Sequence, residues 1–231
     1  MTTSLKDNRS ARDAILGRVR QAVAGGQGNR DDARAAAQAY VAAHAHGPRP
    51  GMPDDLLARF IKRAGDMESS VLRIADRQQI PAAVAGYIDG LQLPQALAAQ
   101  RSRAGVCWPE FADLDWAAAG LAIEARPTVG ADRLGITGCF CGIAETGTLL
   151  VLSGADTPTA TTLLPDTHVA VLDAGRIVSG MEEAFALIRR ERGELPRAIN
   201  MISGPSRTGD IEQTVVVGAH GPYRVRILVL G

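Results

Sequence analysis

Residues 138–154, GCFCGIAETGTLLVLSG, set two cysteines one residue apart, a glutamate and two threonines between glycines. Cys139 and Cys141 could hold a metal if His168 or His220 completed a tetrahedral set, since thiolate and imidazole are the usual zinc ligands. The spacing argues against it. The sequence has no C-x-x-C and no second cysteine pair, and its three cysteines cannot supply the four thiolates of an iron–sulfur cluster. A nucleophilic thiolate would need a neighbouring base or a helix N-terminus, and nothing adjacent supplies the base. Small thiols packed between glycines are therefore the expectation for both cysteines. Glu145 poses a different problem, because a carboxylate in an apolar run is costly to bury without partners. Either it accepts backbone N–H bonds in its turn, helped by Thr146 and Thr148, or it is poised as a base or nucleophile.

Two later turns collect polar groups. In ISGPSRTGDIE, residues 202–212, a strand ends at Ser203 and turns through Pro205 into Ser206, Arg207, Thr208 and Asp210. Hydroxyls, backbone donors and a guanidinium in one turn suit a carboxylate or phosphate. The competing reading is an exposed Arg207–Asp210 pair that caps the next segment. GAHGP, residues 218–222, holds His220 between glycines. It is a hydrogen-bonded loop residue unless it faces the other two clusters. The sequence carries no Walker A loop, G-x-G-x-x-G, G-x-S-x-G or H-E-x-x-H, so the mechanisms those motifs signal are unsupported.

The elements that must position these residues follow from periodicity. NRSARDAILGRVRQAV predicts a helix with Ser10 as N-cap and Ala11, Ile15, Val19 and Val23 as one apolar stripe. After the break AGGQGN, RDDARAAAQAYVAAHA predicts a second, alanine-rich helix. From Pro53 the pattern becomes a helix (PDDLLARFIKRAG, with Gly65 placed to stop it), a strand (SSVLRIA) and a helix (DRQQIPAAVAGYIDG), whose Asp76 and Gln79 have capping-box spacing. ALAAQ, GVCW and GLAIEA are short candidate strands. Clearer ones are TGTLLVLSG, THVAVLD, AINMIS, TVVVGA and YRVRILVL, with the amphipathic helix MEEAFALIRRER between them. Strands alternating with helices imply an α/β fold with a mainly parallel sheet covered on both faces, whose ligands bind outside the strands' carboxyl ends.

Composition narrows the classes of partner. Lys plus Arg equals Asp plus Glu at 25 each, so the chain lacks the positive excess that nucleic-acid or anionic-membrane binding requires. No apolar run approaches the ~20 residues that cross a bilayer. An odd cysteine count fits no secretory disulfide framework. A cytoplasmic protein with neither nucleic-acid nor membrane partners is expected.

Taken together, GITGCFCGIAETGTLLVLSG, TTLLPDTHVAVLDAGRIV and ISGPSRTGDIEQTVVVGAHGPYRVRILVLG resemble, in that order and spacing, the LUD-domain family typified by lactate utilization protein C. The strong match covers residues 130–231. The resemblance implies a three-layer α/β/α fold shared with glucosamine-6-phosphate deaminase, ribose-5-phosphate isomerase and CoA transferases. It divides the chain into an N-terminal helical appendage, residues 1–50, and a LUD domain, residues 51–231. It also implies a part in bacterial oxidation of L-lactate to pyruvate beside iron–sulfur partner proteins. The clusters would reside in those partners, with no cofactor bound by this chain alone. In the CoA-transferase relatives a glutamate after a strand attacks an acyl-CoA, and AETG looks similar, so Glu145 becomes the candidate catalytic carboxylate. For a small hydroxy or keto acid, Arg207 would pair the carboxylate and Ser206 and Thr208 would donate to it. Thr137, Thr146, Ser203, Asp210 and His220 complete the candidate substrate-binding set. A stand-alone transferase or isomerase using Glu145, and a non-catalytic scaffold, are the alternatives.

Overall fold

The computed structural model describes residues 4–25, 30–92, 102–208, 216–218 and 220–231. The chain divides into two units, Met1–Arg49 and Pro50–Gly231. The first holds α1 (Ser4–Gly25) and α2 (Arg30–Ala43). Helix α1 begins six residues before Ser10, so Ser10 lies inside it and is not the cap. The polar residues before Ser10 contain no Gly or Pro to stop the helix. The expected stripe stays open to solvent, with Ile15, Val19 and Val23 all exposed.

In the second unit, α3 (Leu56–Asp66) starts where the Asp55 side chain accepts the Ala58 N–H at 2.8 Å. It runs through Gly65 instead of stopping there. The helix closes with Ser69 N–H bonding Ala64 O and Glu68 N–H bonding Gly65 O, and Glu68 takes the left-handed backbone (φ 64°) that usually falls to glycine. Strand β1 (Ser70–Ile74) follows. The Asp76–Gln79 capping box then forms as read, at the mouth of α4 (Ile80–Asp89), with Pro81 in that helix's first turn.

The remaining strands are β2 (Ala104–Cys107), β3 (Ala122–Ala125), β4 (Leu134–Gly138), β5 (Cys141–Ile143), β6 (Thr148–Leu152), β7 (Thr167–Asp173), β8 (Ile177–Val178), β9 (Ile199–Ile202), β10 (Arg207–Thr208), β11 (Val216–Val217) and β12 (Arg224–Leu230), with α5 (Met181–Arg192) after β8. Of the weaker candidates, GVCW and GLAIEA form β2 and β3, whereas ALAAQ lies outside the described residues.

Six strands form one sheet in the order β1-β12-β7-β4-β2-β3, parallel throughout. Helix α4 contributes Ile80, Val84 and Ile88 to a core with Ile136, Val169 and Leu228 on one face. On the other face α3 packs Phe60 and Ala64 against Ala170, Leu172 and Ile227. This is the α/β class the sequence implied. A second sheet, β8-β5-β6-β9, carries α5 through Leu150, Leu187 and Ile188. The β5–β6 hairpin turns through Gly147, whose φ of 70° and close approach to α3 both exclude a side chain: a Cβ would sit 2.2 Å from the Ala64 nitrogen.

Parallel strands buried on both faces carry few polar side chains, and most of those are hydrogen-bonded. The main sheet nevertheless buries His168 completely, and its Nε2 meets the Thr137 hydroxyl at 2.8 Å. Burial lowers the imidazole pKa from 6.5 to about 4, so it is neutral at neutral pH. The unfolded chain binds the proton more tightly, so the stabilisation is present above pH 6.5 and is lost as pH falls towards 4. We expect about 3 kcal/mol of stability to disappear over that interval. Urea denaturation of wild type and His168→Gln at pH 7, 5.5 and 4.5 checks this: the difference between the two proteins should shrink as pH falls. A constant difference would contradict it.

Candidate functional site

Three neighbouring parallel strands, β2, β4 and β7, deliver their carboxyl ends to one opening. Past Cys107 the chain makes a 3-10 turn at Pro109–Phe111 that carries Glu110. Past Gly138 come Cys139 and Phe140, and past Asp173 a second 3-10 turn carries Arg176. The segment after β6, Ser153–Thr157, and the last turn of α5 close the perimeter around a cavity of about 640 Å³. This is the edge of an open α/β sheet where ligands characteristically bind.

Among the described residues, Glu110 is one of four acids that line this cavity, with Asp156, Glu191 and Glu194. Burial raises its pKa, while a backbone N–H bond from Gly138 and the nearby Arg77 charge oppose the shift. The carboxylate lies across the end of β4 because residue 138 is glycine: a Cβ there would stand 2.3 Å from Glu110 Oε1. Arg77 is held in place by Asp113, at 2.6 and 2.9 Å, and donates to the Glu110 carbonyl. Across the cavity the Arg176 guanidinium lies 4.6 Å from the centre of the Phe140 ring, donates to the Phe140 carbonyl and bonds Glu191 at 2.9 Å. That pairing holds the Glu191 carboxyl below its ordinary range. Arg192 reaches the same ring at 6.0 Å and lines the cavity.

The thiols are not activated. Cys139 donates to Val171 O at 3.2 Å, and burial pushes it up. Burial pushes Cys107 and Cys141 up to about 11 each. Protonated thiols are poor nucleophiles and poor metal ligands. Among the described residues no group of three His, Cys, Asp or Glu side chains converges on a metal position. The Cys139–Cys141–His168 arrangement therefore lacks a metal centre's geometry; His168 Nε2 is bonded to Thr137, while its Nδ1 is buried without a hydrogen-bond partner.

The residues singled out from sequence occupy other places. Thr137 is fully buried and bonded to His168. Glu145 sits half-buried in the β5–β6 turn, its N–H bonded to Ser179 O at 3.0 Å. The neighbouring hydroxyls serve one another: Thr146 bonds Thr148 at 2.7 Å, and Thr148 bonds Ser203 at 2.6 Å. Ser206, Arg207 and His220 share a second corner, where the His220 N–H donates to Ser206 Oγ at 3.3 Å. There Arg207 pairs with Glu68 at 2.9 Å. Thr208 extends this corner as part of β10, paired with Val216. Asp210, the partner expected for Arg207, lies outside the described residues.

Among those of them that are described, only Cys139 lines the cavity. Glu110, Arg176 and Arg192 were not singled out from sequence. The available signal was CWPEF, an apolar strand followed at once by Pro and Glu, which places an acid at a strand's carboxyl end.

Comparison with known proteins agrees with this architecture. The LUD domain family model matches residues 57–230. Over 101 residues the chain is 39% identical to lactate utilization protein C of Geobacillus sp. (strain WCH70) and 35% identical to lactate utilization protein C of Bacillus licheniformis. Each match spans 42% of this chain and 42% of the relative, so the chain covers under half the length of those relatives. A crystal structure of a DUF162 family protein from Deinococcus radiodurans aligns with 79% of this chain and all of its own, at a TM-score of 0.55 and 23% identity. That likeness shows the fold.

The contact between Gly138 and Glu110 generates a direct test. Gly138→Ala should cost about 1 kcal/mol, because the carboxylate that swings aside is the free end of a side chain and gives up its bond to the residue 138 N–H. In a Glu110→Ala background the cost should fall by more than half, because the displaced group is gone. Equal costs in both backgrounds, measured by urea denaturation, would show that the two residues do not interact.

Proposed function

The chain belongs to the LUD domain family, and from that premise we propose that it acts in lactate utilization, as the subunit that binds a small hydroxy or keto acid during oxidation of L-lactate to pyruvate. The relatives' name, lactate utilization protein C, supports the process. The observation that carries the binding role is the cavity at the carboxyl ends of β2, β4 and β7, with Arg192 on its wall. A guanidinium is the natural partner for a carboxylate. Arg176 is tied to Glu191 and Phe140 and shapes the opposite wall.

The electron-transfer chemistry is assigned to iron–sulfur partner proteins. The chain's three cysteines cannot ligate a cluster alone, and all three thiols are held protonated. Among the described residues no helix is long and apolar enough to cross a membrane, in keeping with a cytoplasmic assembly.

Calorimetric titration with L-lactate and pyruvate tests the reading. Wild type should bind at least one acid saturably, Arg192→Ala should weaken it tenfold or more, and Arg207→Ala should stay within about twofold. Loss with Arg207→Ala and retention with Arg192→Ala would move the site to the 202–208 turn. Binding of a CoA thioester that depends on Glu145, with neither acid bound, would favour the transferase alternative.

A further inference from the structure

Glu110 holds a carboxyl where a cavity meets the end of β4, bonded there by one backbone N–H. The fold places a carboxyl group on the wall of a cavity at the strands' carboxyl ends, next to the aromatic walls Trp108 and Phe140. It leaves residue 138 without a side chain, so that carboxyl can lie over the end of β4. A purely structural acid here would be expected to pair with the nearest cation. Arg77 instead directs its side-chain bonds to the Asp113 carboxylate and to the Glu110 backbone carbonyl. The Glu110 carboxyl thus receives one N–H bond, from Gly138, and borders the cavity with its remaining capacity.

We propose that Glu110 is the ligand-facing acid of this cavity: it is protonated when the ligand binds and donates its O–H to the oxygen on C2 of a hydroxy or keto acid whose carboxylate is held by Arg192. The proposal rests on the hydroxy- or keto-acid reading above and adds that binding is linked to one proton. A neutral carboxyl suits this task. A carboxylate would repel an anionic ligand, whereas its acid form donates a hydrogen bond to it.

Asp156, Glu191, Glu194 and Arg192 share the cavity's lining with Glu110, and the groups nearest its carboxyl are paired or kept neutral. Arg77 stays charged because Asp113 bonds it, and Asp113 is held below its ordinary range by the same pair. Cys107 and Cys139 face Glu110 as thiols, both pushed up by burial. Arg176 and Glu191 neutralise one another across the opening. Glu110 is thus the acid beside the ligand whose pKa burial moves upward.

Pyruvate and L-lactate titrated calorimetrically into the intact protein at pH 5, 6, 7 and 8 test the link, with Glu110→Gln and Glu110→Ala alongside and folding of each verified by circular dichroism. In wild type, affinity should fall about tenfold per pH unit on the alkaline side of the Glu110 titration. It should be nearly independent of pH in Glu110→Gln, whose amide still donates. In Glu110→Ala it should be at least tenfold weaker than wild type at pH 5. Saturable binding with the same pH profile in wild type and Glu110→Gln would overturn the role of Glu110 and leave the hydroxy- or keto-acid reading standing. No binding of either acid by wild type at any of these pH values would overturn both.

Discussion

Strand β4 is the constraint on which the rest of this structure depends. It pairs with β2 on one side and β7 on the other, and all five of its residues are buried. No water reaches its polar groups, so each must be satisfied within the protein. His168 enters the core as the partner of Thr137, and burial keeps its imidazole neutral, with Nδ1 left unpaired. Burial also limits what β4 can carry. Leu134 and Ile136 point into the α4 core, while Gly135 and Gly138 stand where other segments come too close for a side chain. Past the end of this strand Cys139 and Phe140 line the cavity, and Gly138 leaves room for the Glu110 carboxyl to lie against it.

The arginines nearest the two candidate regions differ in what they touch. Arg207 extends from the 202–208 turn to Glu68, at the left-handed end of α3, and so ties that turn to the helix. Such a half-exposed pair contributes little stability, yet it occupies the guanidinium that a carboxylate ligand would need. Arg176 is engaged in the same way with Glu191 and with the Phe140 carbonyl. Arg192 lies 6.0 Å from the centre of the Phe140 ring and lines the cavity. Electrostatic availability, more than the number of polar residues in a turn, favours the cavity over the turn.

Much of this architecture was legible because it obeys simple periodicity. The helices α3, α4 and α5 and the strands β1, β6, β7, β9 and β12 all fall on segments whose apolar spacing and caps announce them. The central strand β4 was not among the strands read from sequence, since LGITG contains two glycines and reads as a loop. Its glycines answer to neighbours distant in sequence, which no local pattern records. The same reason hid Glu110, whose partner Gly138 lies 28 residues away and whose neighbour Arg77 lies on another turn. The family resemblance was carried by the segments that form β4 through β7 and β12. It transferred the fold, whereas the cluster of hydroxyls around Glu145 resolved into bonds that tie the β5–β6 turn to Ser203.

Hydrogen–deuterium exchange of the intact protein with and without saturating pyruvate addresses the central claim most directly, because it reports where the acid sits without any substitution. The account predicts slowed exchange at residues 108–111, 138–140 and 153–157, the segments that wall the cavity. Protection confined to residues 203–208 and 217–222, with those three segments unchanged, would contradict it.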